Sequence, residues 1–264
     1  MFFSRFESTV LALAFLALAE AGPSSSCAEL LADNPKLPPC VEIPKCGTGK
    51  PPAIVTIDHL SSGLPASEVA QTTQLCHDGE GDYLQVSFEI EQQYVSASIN
   101  SKYTTCNSGV FYLDVMEAFI SPPGSSLHCY SEIDLSMANV PFFSGIFNPN
   151  LSHEGIVGTP INCASSGIAH ATNTSLLQAQ AKWTSALRIP LSLLRCPAGC
   201  PEACSASQSN VWRANFYRIR VNDAAVMQTQ KCTTALCDYL AWSPTNVSPP
   251  SFHEPLSFGF MVFV

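Results

Sequence analysis

The stretch Leu84-Gln85-Val86-Ser87-Phe88-Glu89-Ile90 alternates apolar and polar side chains residue by residue. This period of two is typical of a half-buried β-strand whose apolar side chains face a core. The same alternation occurs in Val95–Asn100 and again in Trp183–Ile189, just before Pro190. Further apolar runs lie at residues 110–120, 130–135, 212–221 and 256–264. Many short strands without a helical rhythm between them predict an all-β fold, an antiparallel β-sandwich of the jelly-roll type with disulfide-stapled loops.

Two stretches lack this alternation. Residues 138–175 are rich in Gly, Asn, Ser and Pro, and residues 192–210 contain Cys196-Pro-Ala-Gly-Cys200-Pro-Glu-Ala-Cys204. Because Gly, Asn, Ser and Pro favour turns, we expect the first stretch to be a long excursion over the surface. The three tryptophans all belong to strand patterns and are expected in the core: Trp183, Trp212 and Trp242.

The charge balance excludes one class of partner. Only 12% of the residues are charged and the net charge is −9. A surface that binds phosphates must be basic, so this balance argues against a nucleic-acid partner. An acidic surface on a secreted protein mainly promotes solubility.

Residues 1–21 are typical of a secretory signal peptide. Arg5 lies near the start, Val10–Ala19 is a short apolar run, and Ala19-Glu20-Ala21 matches the small-residue cleavage pattern. A membrane anchor needs about 20 apolar residues, about twice the length of this run. We therefore expect a secreted, extracellular protein without a membrane span.

The twelve cysteines also indicate an oxidising compartment, because an even number behind a signal peptide is typical of disulfides. Residues 22–53 form a Pro- and Cys-rich lead-in whose composition suits an extended segment. It holds three cysteines, so at least one of them must bridge to the main domain, which we assign to residues 54–264. The three Asn-x-Ser/Thr sequons predict extracellular glycosylation at Asn150, Asn173 and Asn246.

Two further cysteine patterns allow predictions. Cys106 and Cys129 flank the apolar run at residues 110–120, which makes them candidate disulfide partners. The run from Cys196 to Cys204 has wider spacing than the paired ligands of structural zinc sites. We interpret it as disulfide-bonded and assign no metal to it.

Four blocks occur in order along residues 54–264. They are Phe111-Tyr-Leu-Asp114-Val-Met-Glu117-Ala-Phe119-Ile, Trp183-Thr-Ser-Ala-Leu-Arg-Ile189-Pro190, Trp212-Arg213-Ala-Asn215-Phe216-Tyr217-Arg218-Ile, and a C-terminal series made of Tyr239-Leu-Ala-Trp242-Ser243-Pro244, Phe252-His253-Glu-Pro255 and Phe258-Gly259-Phe-Met-Val-Phe263. In this order they resemble the family-9 carbohydrate-binding modules, which are secreted β-sandwiches. The resemblance implies a non-catalytic protein that recognises polysaccharide or glycan ends. Such modules usually accompany a glycoside hydrolase, so it also implies support of carbohydrate catabolism by a partner enzyme.

The resemblance places the sugar in a slot between Phe111 and Phe252. Sugar C–H faces pack on aromatic rings, while carboxylates and amides bind the hydroxyls in a few fixed directions. The well-studied slots of the family use Trp at both places, and this chain departs from them in having Phe. His253 follows in a predicted loop, where it either contacts the ligand or braces the loop.

Asp114 and Glu117 lie three residues apart, so on one strand their side chains point to opposite faces. This separation argues against a glycosidase pair, which needs two carboxylates facing each other across the scissile bond. We expect one carboxylate to hold Arg218 in the core and the other to lie near the ligand. From the resemblance, Asp114 is expected close to the slot, and Glu117 is expected to be structural.

Three alternatives belong to other classes. A haem- or redox-carrying DOMON-type domain has a similar sandwich and needs axial ligands, for which Met116, His128 and His170 are available. A glycosidase lacks a recognisable carboxylate pair, and no Gly-x-Ser-x-Gly, P-loop or His-Glu-x-x-His sequence occurs. A structural cell-wall protein is the third.

Calcium is left open. Asp58, Asp78, Glu80 and Asp82 precede the first clear strand, and calcium prefers several oxygen ligands in one place. The run from Asp78 to Asp82 contains two glycines and equally suits a plain acidic turn. We therefore assign no metal, no cofactor and no catalytic residue.

Overall fold

A computed structural model describes residues 26–32, 36–78, 82–91, 101–202, 204–205, 207 and 209–264. The predicted signal peptide, the predicted strand Val95–Asn100 and Glu80 lie outside these residues. The strands are β1 (Cys40–Ile43), β2 (Ala53–Ile57), β3 (His59–Leu60), β4 (Gln71–His77), β5 (Tyr83–Glu91), β6 (Val115–Ser121), β7 (Cys129–Ser136), β8 (Pro141–Phe147), β9 (Val157–Pro160), β10 (Ala169–Asn173), β11 (Lys182–Pro190), β12 (Val211–Val221), β13 (Cys237–Ala241) and β14 (Gly259–Phe263). The helices are α1 (Cys27–Ala32), α2 (Leu177–Gln180), α3 (Leu191–Arg195) and α4 (Val226–Thr229), with 3₁₀ turns at Ser67–Val69, Val110–Tyr112 and Pro255–Ser257.

The strands form two sheets that pack face to face. The larger sheet has nine strands, with the order β1-β14-β12-β6-β7-β8-β9 and with β13 and β3 attached beside β12. The smaller sheet has five strands in the order β10-β11-β5-β4-β2. Neighbouring strands are antiparallel except for β1 and β14, which are parallel. The predicted all-β sandwich is confirmed.

The main core lies between the sheets, because alternate side chains of each strand point inward. On β5 the residues Leu84, Val86, Phe88 and Ile90 are buried while their neighbours are partly or fully exposed, as their alternation predicts. The three tryptophans are buried in this core, which confirms their prediction: Trp183, Trp212 and Trp242. Removing one such ring typically costs about 3–5 kcal/mol of stability.

The strand predicted at residues 110–120 begins later than its composition indicates. Residues 110–112 form a 3₁₀ turn, and the strand proper is β6, from Val115 to Ser121. It lies between β12 and β7, and all seven of its residues are buried. The strand is therefore covered on both faces, as its nearly continuous apolar character predicts.

The prediction of a long surface excursion over residues 138–175 is wrong, because β8, β9 and β10 lie inside it. β8 pairs along its whole length with β7, and Phe143 is fully buried between the sheets. Gly145 in this strand does not mark a turn: a Cβ there would collide with the backbone of Ala198, which lies against the strand. Close backbone packing explains this glycine.

Part of the lead-in joins the main sheet. β1 extends the nine-stranded sheet beside β14, and Ile43 is fully buried in the core. Disulfides Cys27–Cys40 and Cys46–Cys76 fasten this segment. The second of them reaches β4, so one lead-in cysteine does bridge to the main domain.

All twelve cysteines form disulfides, which confirms the disulfide interpretation of the Cys196–Cys204 run. The suggested Cys106–Cys129 pair is wrong: Cys106 bonds Cys163, and Cys129 bonds Cys200. The physical reason is that the segment around Cys106 is tied to residues 141–161, since Asn107 donates to the carbonyls of Pro141 and Ile161. The remaining bridge is Cys232–Cys237.

None of the helices in the described ranges combines the length and hydropathy that a membrane crossing requires.

Candidate functional site

A second cluster of apolar side chains lies on the outer face of the nine-stranded sheet, away from the five-stranded one. Because side chains alternate along a strand, Met116 and Ala118 of β6 face the sandwich core, whereas Val115, Glu117 and Phe119 face outward. Loops before β6 and after β13 fold over this outer face and leave a cleft of about 370 Å³. The cleft is lined by Phe111, Glu117, Phe119, Glu132, Phe142, Ser144, Ile146, Ile156, Gly158, Ile219, Tyr239, Pro250, Ser251, Phe252 and His253.

Aromatic rings form the walls of the cleft. Phe111 lies on the 3₁₀ turn before β6, and its ring meets that of Phe142 edge to face, with centroids 5.0 Å apart. Phe252 stacks on Tyr217 with centroids 4.1 Å apart and ring planes within 11° of parallel. The Tyr217 hydroxyl also donates to the carbonyl of Phe252 at 3.0 Å. The loop ring is thus held in one orientation by the sheet beneath it.

Carboxylates form the floor. Glu117 of β6 lies directly opposite Asp134 of β7, and Glu132 lies two residues before Asp134 on the same face. One carboxylate oxygen of each of the three residues lies within 4.8 Å of the other two. The three residues are 2%, 6% and 0% exposed for Glu117, Glu132 and Asp134 respectively. Glu117 and Glu132 line the cleft, and Asp134 lies behind them.

These carboxyl groups are poorly satisfied. One carboxylate oxygen of Glu117 and both of Asp134 lack a hydrogen-bond partner within the described part of the chain. Burial raises the pKa of Glu132 to about 8. Burial also raises the pKa of Glu117 and of Asp134 well above the usual range, and repulsion from the neighbouring carboxylates adds to both shifts. Protonation of these carboxyl groups, or binding of a cation between them, therefore lowers the free energy of the floor.

His253 lies at the rim beside this floor. Its Nδ1 lies 2.8 Å from the Tyr130 hydroxyl and its Nε2 lies 3.9 Å from a carboxylate oxygen of Glu132. Burial lowers the pKa of His253 to about 4, so the imidazole is neutral at neutral pH. Asn148 donates to the His253 carbonyl at 3.2 Å, which holds the loop against β8. His253 thus lines the cleft and braces its loop at the same time.

The structure reverses the expected placement of the two acidic residues of the first block. Asp114 precedes β6 and pairs with Arg218, with Nη2 3.3 Å from the carboxylate, both side chains being fully buried. It also accepts a bond from the backbone N–H of Val221 at 3.1 Å. Asp114 therefore does not line the cleft, whereas Glu117 does. The physical reason is parity along the strand: Asp114 precedes Met116 by two residues and shares its inward face, where Arg218 also lies, whereas Glu117 faces outward.

The sequence analysis did not single out Glu132, Phe142 and Tyr239 as site residues, although they line the cleft, nor Asp134, which lies behind its floor. Glu132 and Asp134 stand two apart in a predicted strand, and this period places both side chains on one face. This spacing was sufficient to predict from the sequence that the two carboxylates lie on one face of the strand. Phe142 could not be found in the same way, because β8 was assigned to a surface excursion.

The residues considered for haem ligation and for calcium do not gather in this cleft. Met116 is buried in the sandwich core, His128 lies 3.6 Å from Glu202, and His170 bonds Asn139 at 3.0 Å. Of the four acids before the first clear strand, Asp58 bonds its neighbour His59 at 2.6 Å. Asp78 accepts the backbone N–H groups of residues 82 and 83. Within the described residues, no metal-sized group includes any of these acids.

Comparison with known structures supports the fold. A candidate carbohydrate-binding protein from Bacteroides uniformis superposes with a TM-score of 0.59 at 15% identity, covering 86% of this chain and all of that one. At this identity the similarity shows the fold alone. No family model matches the chain, so the resemblance to family-9 modules stays a prediction.

A sequence relative shows the family. The chain is 30% identical over 187 residues to a protein named "Extracellular protein" from Arthroderma benhamiae. The match covers 68% of this chain and 75% of that protein. The chain therefore belongs to the same family as this fungal extracellular protein.

Proposed function

We propose that the protein is a secreted, non-catalytic carbohydrate-binding protein that takes the end of a polysaccharide or glycan into this cleft. The observation that carries the proposal is the combination of Phe111 and Phe252 on the walls with Glu117 and Glu132 on the floor. Aromatic rings pack against the C–H faces of a sugar, while carboxylates accept hydrogen bonds from its hydroxyls. Both kinds of contact are available in one concave site.

Three observations support this proposal. The cleft volume of about 370 Å³ lies within the usual range of small-molecule sites. A protein of the same fold is a candidate carbohydrate-binding protein. The sequence relative is extracellular, and six disulfides suit an oxidising compartment. A partner glycoside hydrolase follows from the resemblance alone and stays a prediction.

The arrangement of the carboxylates favours binding over hydrolysis. Glycosidases place two carboxyl groups about 5–9.5 Å apart on either side of the scissile bond. Glu117 and Glu132 instead lie side by side on neighbouring strands of one floor and do not face each other across the cleft. We expect no release of reducing sugar above background from any polysaccharide that the protein binds. Release that Glu132→Gln abolishes would contradict the non-catalytic assignment.

Glycan binding is expected to depend on the two phenylalanine rings. We expect the variant Phe111→Leu with Phe252→Leu to bind at least about tenfold more weakly, because leucine keeps the apolar volume and removes the flat faces. A soluble glycan array combined with pull-down on insoluble polysaccharides measures this. Leucine is preferred to alanine because Phe252 is only 6% exposed, and a cavity there would destabilise the loop.

Tyr83→Leu is the matched control for this experiment. Tyr83 lies on β5 of the other sheet, where its ring packs against the Arg188 guanidinium, 3.3 Å from the ring centroid. The substitution removes an aromatic ring that lies outside the cleft, so glycan binding should stay at the wild-type level. Undiminished binding by the double variant moves the sugar site elsewhere on the sandwich. Binding to no glycan at all, by a folded wild-type protein, rejects the proposed function.

A further inference from the structure

The carboxylates of Glu117, Glu132 and Asp134 form a buried acidic cluster without a Lys or Arg counter-ion among the described residues. In the described ranges no Lys or Arg nitrogen lies within 4.0 Å of any of their oxygens, and the nearest basic atom is His253 Nε2 at 3.9 Å from Glu132. Buried carboxylates are otherwise paired, hydrogen-bonded or coordinated to a metal. The side chains around them on the outer face of the sheet are largely apolar and aromatic, among them Phe119 and Phe142.

A second observation points to a ligand in the cluster. Asp134 is fully buried, and neither of its carboxylate oxygens has a hydrogen-bond partner in the part of the chain that the structure describes; the same holds for one oxygen of Glu117. Leaving a buried polar group unsatisfied costs about 1–3 kcal/mol, and more for a charged group. These oxygens face the other carboxylates of the cluster, where a bound cation would satisfy them.

The geometry suits calcium. A Ca²⁺–oxygen bond is about 2.3–2.6 Å long, so two oxygens on one ion are at most about 5 Å apart. One oxygen from each of the three carboxylates lies within 4.8 Å of the other two. All three ligands are hard oxygen donors and no thiol takes part, which favours calcium over zinc or copper. Calcium also tolerates the irregular angles that two paired strands impose, whereas Mg²⁺ demands a near-ideal octahedron.

The position of the cluster leaves part of the coordination sphere open. Asp134 lies behind, while Glu117 and Glu132 line the cleft. Calcium takes about 6–8 oxygens, and three carboxylates supply between three and six of them. An ion held by these residues would border the cleft that Glu117 and Glu132 line, so oxygen ligands from a bound molecule could complete its coordination.

We propose that Glu117, Glu132 and Asp134 hold a calcium ion at the floor of the cleft, and that two neighbouring hydroxyls of a sugar complete its coordination. The calcium site stands independently of the proposed function, whereas the coordination of sugar hydroxyls rests on it. The ion offsets two of the three negative charges of the cluster and turns an acidic floor, which could only accept hydrogen bonds, into a centre that binds hydroxyl oxygens directly. The substrate class is then a glycan end with vicinal hydroxyls.

The calcium site is tested by melting temperature and by calorimetric titration of CaCl₂ into protein stripped with a chelator. Extracellular calcium modules bind with dissociation constants of about 0.1–1 mM, so saturating calcium is expected to raise the melting temperature by roughly 5 °C. Glu132→Gln and Asp134→Asn should each abolish this rise. Both are nearly isosteric and relieve repulsion, so each is expected to fold at least as well as the stripped wild type.

Glu89→Gln is the matched control, since Glu89 lies on β5 of the other sheet with a side chain 54% exposed. It removes the same charge and should keep the calcium response. No heat and no change in melting temperature at a tenfold excess over about 1 mM calcium would overturn the site. A response that both cluster variants retain would overturn it as well.

The coordination of sugar hydroxyls is tested by glycan binding with calcium and with chelator. Binding that needs calcium and is lost in Glu132→Gln supports hydroxyl coordination. Binding that persists in chelator overturns it while leaving the proposed function intact. Binding of an amino sugar in chelator, lost in Glu132→Gln, would show that the floor pairs with an ammonium group instead. Calcium binding without any glycan binding rejects the proposed function and the hydroxyl coordination, but not the ion site.

Discussion

Replacing Arg218 with Met is expected to destabilise the fold by about 3–5 kcal/mol, because it leaves the Asp114 carboxylate buried without its partner. Both side chains are fully buried, and the guanidinium donates to the carboxylate through Nε and Nη2 at 3.3–3.4 Å. Arg218 also donates to the Glu91 carbonyl at 3.0 Å, so the substitution removes a bond between the two sheets. Urea unfolding followed by tryptophan fluorescence measures the loss.

Arg220→Met is the matched control on the same strand. Arg220 pairs with Asp238 at 2.9 Å, but both side chains are partly exposed. Water screens that pair, so its loss should cost about 1 kcal/mol or less. The double variant Asp114→Asn with Arg218→Met should recover part of the stability, because it removes both buried charges. Equal losses for Arg218→Met and Arg220→Met would contradict the structural role of the buried pair.

In calcium-free buffer the stability of the protein is expected to fall as pH rises toward 8. The pKa of Glu132 is raised from 4.5 to about 8 by burial, so the folded state holds this proton more tightly than the unfolded chain does. Such a group contributes stability that is fully present below about pH 4.5 and is lost as pH rises through 8. The raised pKa values of Glu117 and Asp134 act in the same direction.

His253 opposes this trend below its unfolded pKa of 6.5, because its pKa in the fold is lowered to about 4. Its contribution is present above pH 6.5 and is lost as pH falls through 4. The carboxyl groups therefore dominate between pH 6.5 and 8, where Glu132 alone accounts for roughly 2 kcal/mol.

Urea unfolding at several pH values between 6.5 and 8, with chelator present, measures how steeply the free energy of unfolding falls with pH. Glu132→Gln should flatten it and Glu89→Gln should leave it unchanged. A wild-type stability that stays constant or rises between pH 6.5 and 8 would show that the floor carboxyls are not desolvated in solution.

The strands that alternate most regularly were predicted most accurately. β5 and β11 match their predicted spans because each strand buries only one face. The alternation of apolar and polar residues along the chain is then sufficient to predict the strand. β8 was missed because Gly145 and the flanking turn-forming residues resemble a loop when read locally. Its place in the sheet depends on pairing with β7 and on the approach of residue 198, contacts that are distant in sequence.

The candidate site was likewise predicted only in part. The resemblance placed Phe111, Phe252 and His253 in one slot, and the structure brings all three to one cleft. The roles expected for Asp114 and Glu117 were exchanged, because the two residues point to opposite faces of the chain and the sequence does not show which face meets the other sheet. A strand that is apolar on both faces gives no local sign of which face is the sandwich core.

The sequence by itself determined the all-β class, the disulfide-bonded state of the cysteines, the burial of the three tryptophans and the net negative charge. These properties follow from composition and from periods of two, which act between near neighbours. Only the tertiary structure decided which cysteines pair, which acid holds Arg218, and that Glu117, Glu132 and Asp134 meet beneath two aromatic rings. Each of those outcomes depends on strand register and on loops folding across a sheet, so residues far apart in sequence have to be brought together first.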